Sequence, residues 1–195
     1  MMLKSSEQAM VRKAKAGDGK AIEALIRAHQ EALYAFMLRM SGRPDVAEDI
    51  VQEAFVRALR NLDRFDTRFR FSTWLFTIAK RLYVNSIQKH RPTYDSDVVG
   101  EHHGAGQSPG HQAAQSEMIQ NVRDLIEVAL QRLTPQQREI ILLFHQQNWP
   151  ITEIAGHLRM PEGTVKSHLH RARKRMKNAI VASRSMHQQA QEVWS

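Results

Sequence analysis

The sequence predicts an all-α protein in which two small helical domains are joined by a flexible linker. Apolar residues recur at steps of three and four along most of the chain, as on one face of an α-helix. The alternation typical of β-strands is never sustained. Residues 91–117 hold four of the nine glycines and two of the six prolines, a composition that buries too little apolar surface to fold. The predicted domains are residues 6–90 and 118–182, with a C-terminal tail at 183–195.

In the first domain, residues 22–40 have the apolar spacing of one long amphipathic helix, which "SGRP" at 41–44 ends. A second helix is predicted over 45–61, where Asp45 followed by Glu48 resembles a capping arrangement. A third is predicted over 72–88. Its candidate core residues are Trp74, Leu75, Ile78, Leu82 and Val84.

The second domain begins with a predicted helix over residues 118–133. "TPQQ" at 134–137 then starts a new helix, with Thr at the N-cap, Pro at the first helical position and Gln at the third. "NWP" at 148–150 ends this helix. A short helix over 151–158 and a turn at 159–162 follow.

The next stretch, "GTVKSHLHRARKRMK" (163–177), contains six Lys and Arg and no acidic residue. Val165, Leu169, Ala172 and Met176 lie at helical steps and form an inner face that packs on the short helix. Two such helices form a helix-turn-helix, whose second helix enters the major groove of DNA. A solvated basic helix without a DNA role is the alternative.

The outer face of this helix is the predicted duplex-DNA surface. Lys166, His168 and Arg171 lie near the end that enters the groove and can reach base edges, whereas the later basic residues meet phosphates. The residues predicted to bind DNA are Thr164, Lys166, Ser167, His168, His170, Arg171, Arg173 and Lys174.

Charge and composition restrict the partners. The 195-residue chain is 42% hydrophobic, enough for a core in each domain, and has a net charge of +8. This charge favours nucleic acid, with an acidic membrane surface as the weaker alternative. The absence of cysteine excludes disulfides and thiolate metal sites. No stretch has the apolar length of a signal peptide or membrane span, so a cytoplasmic protein without membrane insertion is predicted.

Three segments resemble bacterial sigma-70-family RNA polymerase sigma factors, especially the extracytoplasmic-function (ECF) group. "ITEIAGHLRMPEGTVKSHLHRARKRMK" (151–177) is similar to region 4, which reads the −35 promoter element. "DVAEDIVQEAFVRAL" (45–59) is similar to region 2.2, and "FRFSTWLFTIAKRLYVNSIQKHR" (69–91) to regions 2.3 and 2.4. The segments occur in the family's order, on both sides of a variable linker.

The resemblance implies that region 2.2 binds the clamp helices of the largest subunit of core RNA polymerase. The residues matching this contact are Asp49, Gln52 and Glu53. Taken without the resemblance, carboxylates near a helix N-terminus are explained by the helix dipole, at roughly 0.3 to 1 kcal/mol each. The family also contacts the polymerase flap region, and an anti-sigma factor is a common further partner.

Residues 67–94 combine six Lys and Arg with interleaved Phe, Trp and Tyr, and contain no Asp or Glu. Such surfaces suit single-stranded DNA, since stacking a base on an aromatic ring is worth about 1 to 3 kcal/mol. By resemblance, the loop from Asp66 to Phe71 captures a flipped base of the −10 element. The residues assigned to melting and capture are Arg68, Phe69, Arg70, Phe71, Lys80, Arg81, Asn85 and Lys89.

Two residues depart from the family pattern. Arg81 replaces an Asn that many relatives carry, which leaves the base preference of the pocket open. Pro150 replaces a Ser cap, and proline supplies the helical conformation but no hydrogen-bond acceptor.

Histidines raise a metal hypothesis that the sequence does not favour. His102, His103 and His111 lie in the Gly-rich linker, and His168 and His170 are two residues apart on a helix, so they point in different directions. No catalytic triad order, phosphate-binding Gly loop or paired-carboxylate geometry is found, so neither an enzyme nor a cofactor is predicted.

The favoured function is therefore a promoter-specificity subunit that binds core polymerase, reads the −10 and −35 elements and directs transcription initiation. The first alternative is a stand-alone helix-turn-helix regulator that binds duplex DNA as a dimer, with half-sites one helical turn apart. The second is an RNA-processing enzyme that uses its histidines and basic groove.

Overall fold

The structure is a computed structural model that describes residues 4–89 and 113–194, with side-chain environments for residues 6–88 and 122–183. Within the described ranges every regular element is helical, as predicted. Residue contacts divide the chain into two units, one on each side of the predicted linker. Each unit is described separately.

The first unit is built around a central helix that contacts the other three. The helices are α1 (Lys4–Lys15), α2 (Gly19–Ser41), α3 (Pro44–Arg60) and α4 (Phe71–Lys89), with a 3₁₀ turn at Leu62–Arg64. The predicted long amphipathic helix corresponds to α2. Its Leu25, Leu33, Phe36 and Met37 are fully buried, and it packs against α1, α3 and α4.

The ends of α2 follow from its flanking residues. The Asp18 carboxylate accepts hydrogen bonds from the Lys20 and Ala21 N–H groups at 2.9 and 3.2 Å, which satisfies two of the orphan donors of the first turn. Gly42 ends the helix at φ 70°, and its N–H donates to the Leu38 carbonyl. A left-handed conformation at this position favours glycine.

The structure corrects the predicted cap of α3. The helix begins at Pro44, and Arg43 occupies the N-cap position without a side-chain cap bond. Asp45 lies within the first turn and forms an ion pair with Arg43. The predicted capping arrangement of Asp45 and Glu48 is therefore wrong, because proline takes the first helical position.

The predicted core of α4 is partly confirmed. Leu75 is fully buried, whereas Trp74, Ile78 and Leu82 are partly buried. Val84 is 40% exposed and does not belong to the core, because it lies near the end of α4 beyond the last buried position of the helix.

The second unit consists of α5 (Ala113–Gln131), α6 (Pro135–Ile141), α7 (Ile151–Leu158) and α8 (Glu162–Trp194). The predicted capping box is confirmed: Thr134 Oγ1 accepts from the Gln137 N–H at 3.3 Å, and Gln137 Oε1 accepts from the Thr134 N–H at 3.4 Å. Beyond Ile141 the helix widens into a π-helical turn at Leu142–Gln146.

Two predicted boundaries differ from the observed helices. Residues 113–117, predicted as the end of the linker, form the first turns of α5, and the rest of the linker lies outside the described residues. Residues 183–194, predicted as a tail, continue α8. Neither segment contains a helix-breaking Pro or Gly, so composition alone misplaced both boundaries.

Candidate DNA and polymerase interfaces

The turn between α7 and α8 orients the basic helix. Arg159 follows α7 in a left-handed conformation at φ 53° and ψ 47°, and the Met160 N–H donates to the Ala155 carbonyl at 3.0 Å. The Pro161 carbonyl then accepts from the Thr164 N–H at 2.9 Å and begins α8. The chain thus reverses direction in a few residues, as in a helix-turn-helix.

The inner face of α8 is the predicted one. Val165, Leu169 and Ala172 are buried, and α8 packs against α6 and α7. Met176 is partly buried. The side of the helix opposite these residues is therefore exposed.

Most of the predicted DNA-binding residues lie on this exposed side. The exposed ones are Lys166, Ser167, His170, Arg171, Arg173 and Lys174, while Thr164 is partly buried. Ser167 Oγ donates to the Gly163 carbonyl at 2.9 Å, and Arg171 Nε donates to the Ser167 carbonyl at 3.3 Å. Both bonds stay within α8.

His168 differs from its prediction as an outward base contact. The ring is partly buried, and its Nδ1 is enclosed without a hydrogen-bond partner in the described part of the chain. Burial, and to a lesser extent the nearby charge of Arg171, lower the pKa of His168. At neutral pH the ring is therefore uncharged and adds no cation to the surface.

Arg173 contacts a residue that the sequence did not indicate. Its Nε and Nη2 lie 3.3 and 3.2 Å from His145 Nε2, and its guanidinium carbon lies 5.3 Å from the centre of the Phe144 ring. Burial and the Arg173 charge lower the pKa of His145. A neutral His145 can accept a hydrogen bond through Nε2, so the π-helical turn holds Arg173 in place.

Arg175 is held in a similar way, because its Nη1 donates to Gln137 Oε1 at 3.0 Å. The sequence assigned both Arg173 and Arg175 to phosphates. The π-helical turn that contacts Arg173 has no sequence signature, so no signal in the sequence could have indicated this contact.

The α3–α4 loop, residues 61–70, contains the predicted capture segment. Phe69 is 64% exposed, in contrast to Phe71, which is only 1% exposed. The Phe71 ring lies 5.5 Å from His29, 5.8 Å from Phe65 and 5.9 Å from Trp74. The prediction that Phe71 captures a base is wrong, because this ring is the first core contact of α4.

An ion pair closes the loop before Phe69. The Asp66 carboxylate accepts from the Arg68 N–H at 2.9 Å and from Arg68 Nε at 2.8 Å. The hydrogen bonds from Arg68 lower the pKa of Asp66. The Arg68 side chain is 85% exposed, and the pair leaves one side of its guanidinium toward solvent.

The remaining residues of the predicted single-strand surface lie on or beside α4. Arg81 and Asn85 are exposed, while Arg70 and Lys80 are partly buried. Lys89 is the last residue of α4, and its side chain lies outside the described residues.

The predicted polymerase contact divides into two sides of α3. Asp49, Gln52 and Glu53 are all exposed, and Glu53 accepts a hydrogen bond from Arg57 Nε at 2.6 Å. Asp49 and Glu53 line a groove of about 520 Å³ between α3 and α4, together with Asn85. Gln52 instead lines a second groove between α2 and α3. The structure thus places Asn85 beside the carboxylates, which the sequence did not predict.

Helix α1 contributes contacts that the sequence analysis missed altogether. Gln8 and Lys15 donate hydrogen bonds to carbonyls of the α3–α4 loop. These contacts join residues 48 to 59 positions apart, and such distant pairings leave no local pattern in a single sequence.

A search for metal-binding groups finds none among the described residues. The predicted linker histidines, His102, His103 and His111, lie outside those residues. None of the described helices is long and apolar enough to cross a membrane.

Comparison with known proteins identifies the family. Residues 25–93 match sigma-70 region 2, and residues 123–176 match sigma-70 region 4. Over 176 residues the chain is 31% identical to the ECF RNA polymerase sigma factor SigW of Bacillus subtilis, covering 87% of this chain and 94% of SigW. The chain belongs to the sigma-70 family of RNA polymerase sigma factors, in the ECF group.

Further relatives agree with this assignment. The sigma factor is 32% identical over 165 residues to the ECF sigma factor SigL of Mycobacterium tuberculosis, covering 84% of this chain and 91% of SigL. Among solved structures, it resembles the sigma factor RpoE of Bartonella quintana in complex with the anti-sigma factor NepR. That match has 25% identity and a TM-score of 0.65, and covers 83% of this chain and 97% of RpoE.

The family regions map directly onto the two units. Region 2 covers the chain from within α2 through α4, and region 4 extends from within α5 into α8. Helix α1 precedes the matched residues.

Proposed function

We propose that this ECF sigma factor binds core RNA polymerase, recognises the −10 and −35 promoter elements and directs transcription initiation. The observation that carries the proposal is that each unit combines a sigma-70 region with an exposed, basic surface. Two such surfaces on one chain fit a protein that reads two separate stretches of DNA.

The second unit reads the −35 element as duplex DNA. Lys166 and Arg171 extend from the exposed side of α8 near the end that a recognition helix inserts into the major groove. Arg and Lys recognise guanine O6 and N7 there. Lys174 lies farther along the helix and meets phosphates, and Arg173, held by His145, presents its charge from a fixed position.

The first unit opens and reads the −10 element. Phe69 is the exposed ring on which an unstacked base is placed. Arg68 and Arg70 flank it and neutralise the backbone of the strand. Arg81 and Asn85, exposed on α4, contact neighbouring bases. Buried Phe71 anchors the loop instead of binding DNA.

The α3 surface binds the polymerase. Asp49 and Glu53 line one groove and Gln52 another, so a basic partner helix lying across α3 would meet all three side chains. The assignment of this surface to the clamp helices of the largest subunit rests on the family. The flap region of the polymerase is the proposed partner of the second unit.

The division of roles follows the two units: residues 6–90 for docking and melting, residues 118–182 for duplex reading, and residues 91–117 as the connection. The chain supplies no catalytic group, since RNA synthesis is the chemistry of the polymerase. The protein acts in the cytoplasm, and an anti-sigma factor regulates it, as the complex of RpoE with NepR suggests.

Run-off transcription tests the proposal. Purified core enzyme is incubated with genomic fragments, with and without this protein, and new promoter-dependent transcripts are expected only in its presence. Polymerase-independent, tight binding to a palindromic site would instead support the dimeric regulator. A sigma factor alone should bind duplex DNA weakly and lose about 0.9 decade of affinity per decade of salt for each phosphate engaged.

A further inference from the structure

We propose that helix α1 positions the α3–α4 loop for capture of the −10 base, with Gln8 and Lys15 as the positioning residues. The inference rests on the proposed function, and it assigns a role to a helix that lies outside both matched sigma-70 regions. Three sets of contacts carry it.

The first set joins Lys15 to the beginning of the loop. Its Nζ donates to the carbonyls of Asp63 at 3.0 Å and Phe65 at 2.7 Å. One ammonium therefore bridges two carbonyls on either side of Arg64. Hydrogen bonds from a charged donor are stronger than neutral ones, so this bridge fixes the backbone where it leaves the 3₁₀ turn.

The second contact comes from Gln8, one face of α1 away. Its Nε2 donates to the Thr67 carbonyl at 2.7 Å, in a partly buried position. The carbonyls bound by α1 thus belong to alternate residues, 63, 65 and 67. They form a row along one side of the loop, and the exposed Phe69 is the next residue in that series.

The third contact fixes the far end of the loop. Glu7 Oε1 accepts from the Ser72 N–H at 3.1 Å and lies 3.2 Å from His29 Nε2. Ser72 is in the first turn of α4, where N–H groups lack helical partners. Since α1 binds the chain both before and after Phe69, it restrains the segment that presents this ring.

The Asp66–Arg68 pair within the loop does not provide the same restraint. Its guanidinium is 85% exposed, and ion pairs in water contribute little. Capturing a base with a mobile loop would first require ordering the loop, at an entropic cost that α1 removes in advance. Because α1 binds carbonyls, this restraint does not depend on the identities of the loop side chains.

Lys15→Met in the full-length chain removes the bridging ammonium and keeps the aliphatic stem. Its matched control is Lys13→Met, which removes the same charge from an exposed position of the same helix. Lys15→Arg restores donors and should recover function. Gln8→Met removes the bond to Thr67 with little change in size.

The experiment uses core polymerase and a promoter fragment obtained by run-off transcription. Permanganate reactivity of thymines measures the rate of strand opening, and filter binding measures closed-complex affinity. Lys15→Met and Gln8→Met should each open the promoter about tenfold more slowly than Lys13→Met, the effect of one lost hydrogen bond. Closed-complex affinity should stay at the level of the control.

Amide hydrogen exchange of the free chain separates positioning from folding. In Lys15→Met, exchange should accelerate at residues 66–70, while the amides of α2 and α3 keep their protection. Opening as fast as in Lys13→Met would overturn the inference, and so would loss of protection throughout the unit or an equal loss of closed-complex affinity. If the unmodified protein yields no promoter-dependent transcript, the proposed function fails, whereas hydrogen exchange still decides whether α1 orders the loop.

Discussion

At the scale of single residues, Phe69 and Phe71 show how two similar side chains two positions apart acquire opposite roles. Phe69 extends from the α3–α4 loop and is 64% exposed, while Phe71 is 1% exposed against Phe65 and Trp74. An aromatic-rich basic sequence cannot distinguish these positions. The distinction arises because α4 begins at Phe71 and turns that ring toward the core.

Alanine substitution should separate the two roles. Phe71→Ala should lower the free energy of unfolding of the first unit by about 3 kcal/mol or more, since it empties a core position. Phe69→Ala should leave stability within about 0.5 kcal/mol and slow promoter opening about tenfold through lost stacking. Urea unfolding and permanganate reactivity measure the two effects. Equal destabilisation by both changes would contradict this separation.

The buried carboxylate of Glu7 gives the first unit a defined response to acid. Burial raises the pKa of Glu7, but the hydrogen bonds from His29 and the Ser72 N–H outweigh it, so the pKa lies below its ordinary value. A lowered pKa means that the folded state favours the ionised form. The stabilisation is therefore fully present above the pKa of the unfolded chain and is lost as pH falls through the lowered folded value.

Glu7→Gln should accordingly destabilise the first unit at pH 7, with a difference from the unmodified chain that shrinks as pH falls below about 4. The measurement is urea unfolding at a series of pH values, followed by NMR signals from α1 to α4 in the full-length chain. Glu31→Gln, an exposed position on α2, is the control and should show no such trend. A difference that grew on acidification would disprove the assigned pKa direction.

Among the site residues, those set by helical position were predictable and those set by tertiary contact were not. Lys166 and Arg171 are exposed, as expected from the inner face formed by Val165 and Leu169. His168 was misjudged, because it lies at the edge of that face and its ring is partly buried. The grouping of Asn85 with Asp49 depends on how α3 packs on α4, which periodicity does not encode.

At the scale of elements, the turn between α7 and α8 includes a residue in an unfavourable conformation. Arg159 has φ 53°, a left-handed geometry in which its Cβ crowds the backbone. Glycine is the common residue at this position after a helix. Arginine here is tolerated because the surrounding hydrogen bonds, including that from Met160 to Ala155, fix the turn.

Arg159→Gly should therefore stabilise the second unit by up to about 1 kcal/mol. Arg159→Ala is the matched control, because it also removes the charge but keeps the Cβ and should give no gain. The urea midpoint of the second unit measures both. An equal gain from alanine would mean that the charge, and not the backbone conformation, is unfavourable.

The elements themselves were predictable where local chemistry determines them. Thr134 and Gln137 form the capping box indicated by their spacing, and α2 has the bounds suggested by its apolar stripe. Helix α1 was missed because its buried residues include Glu7, while few strongly apolar side chains mark its inner face. The π-helical turn at Leu142–Gln146 was missed because its one-residue excess has no counterpart in residue type.

At the scale of the whole molecule, each unit has its own core and its own exposed surface, so their functions should be separable by mutation. Asp49 and Glu53 lie in the first unit, and Lys166 and Arg171 in the second. Mutations in different units share no contacts among the described residues. Such changes are expected to act additively.

The double variant Asp49→Ala/Glu53→Ala should weaken association with core polymerase while duplex −35 binding persists. Lys166→Ala/Arg171→Ala should do the reverse and lower the slope of log affinity against log salt by up to about one per lost phosphate contact. The charge-matched controls are Glu23→Ala/Glu31→Ala on α2 and Arg123→Ala/Arg132→Ala near α5, all at exposed positions. Fluorescence anisotropy with labelled core enzyme and labelled duplex measures both affinities. If both site variants weakened polymerase binding equally, the two units would not divide the work in this way, and the second unit would itself be a main polymerase anchor.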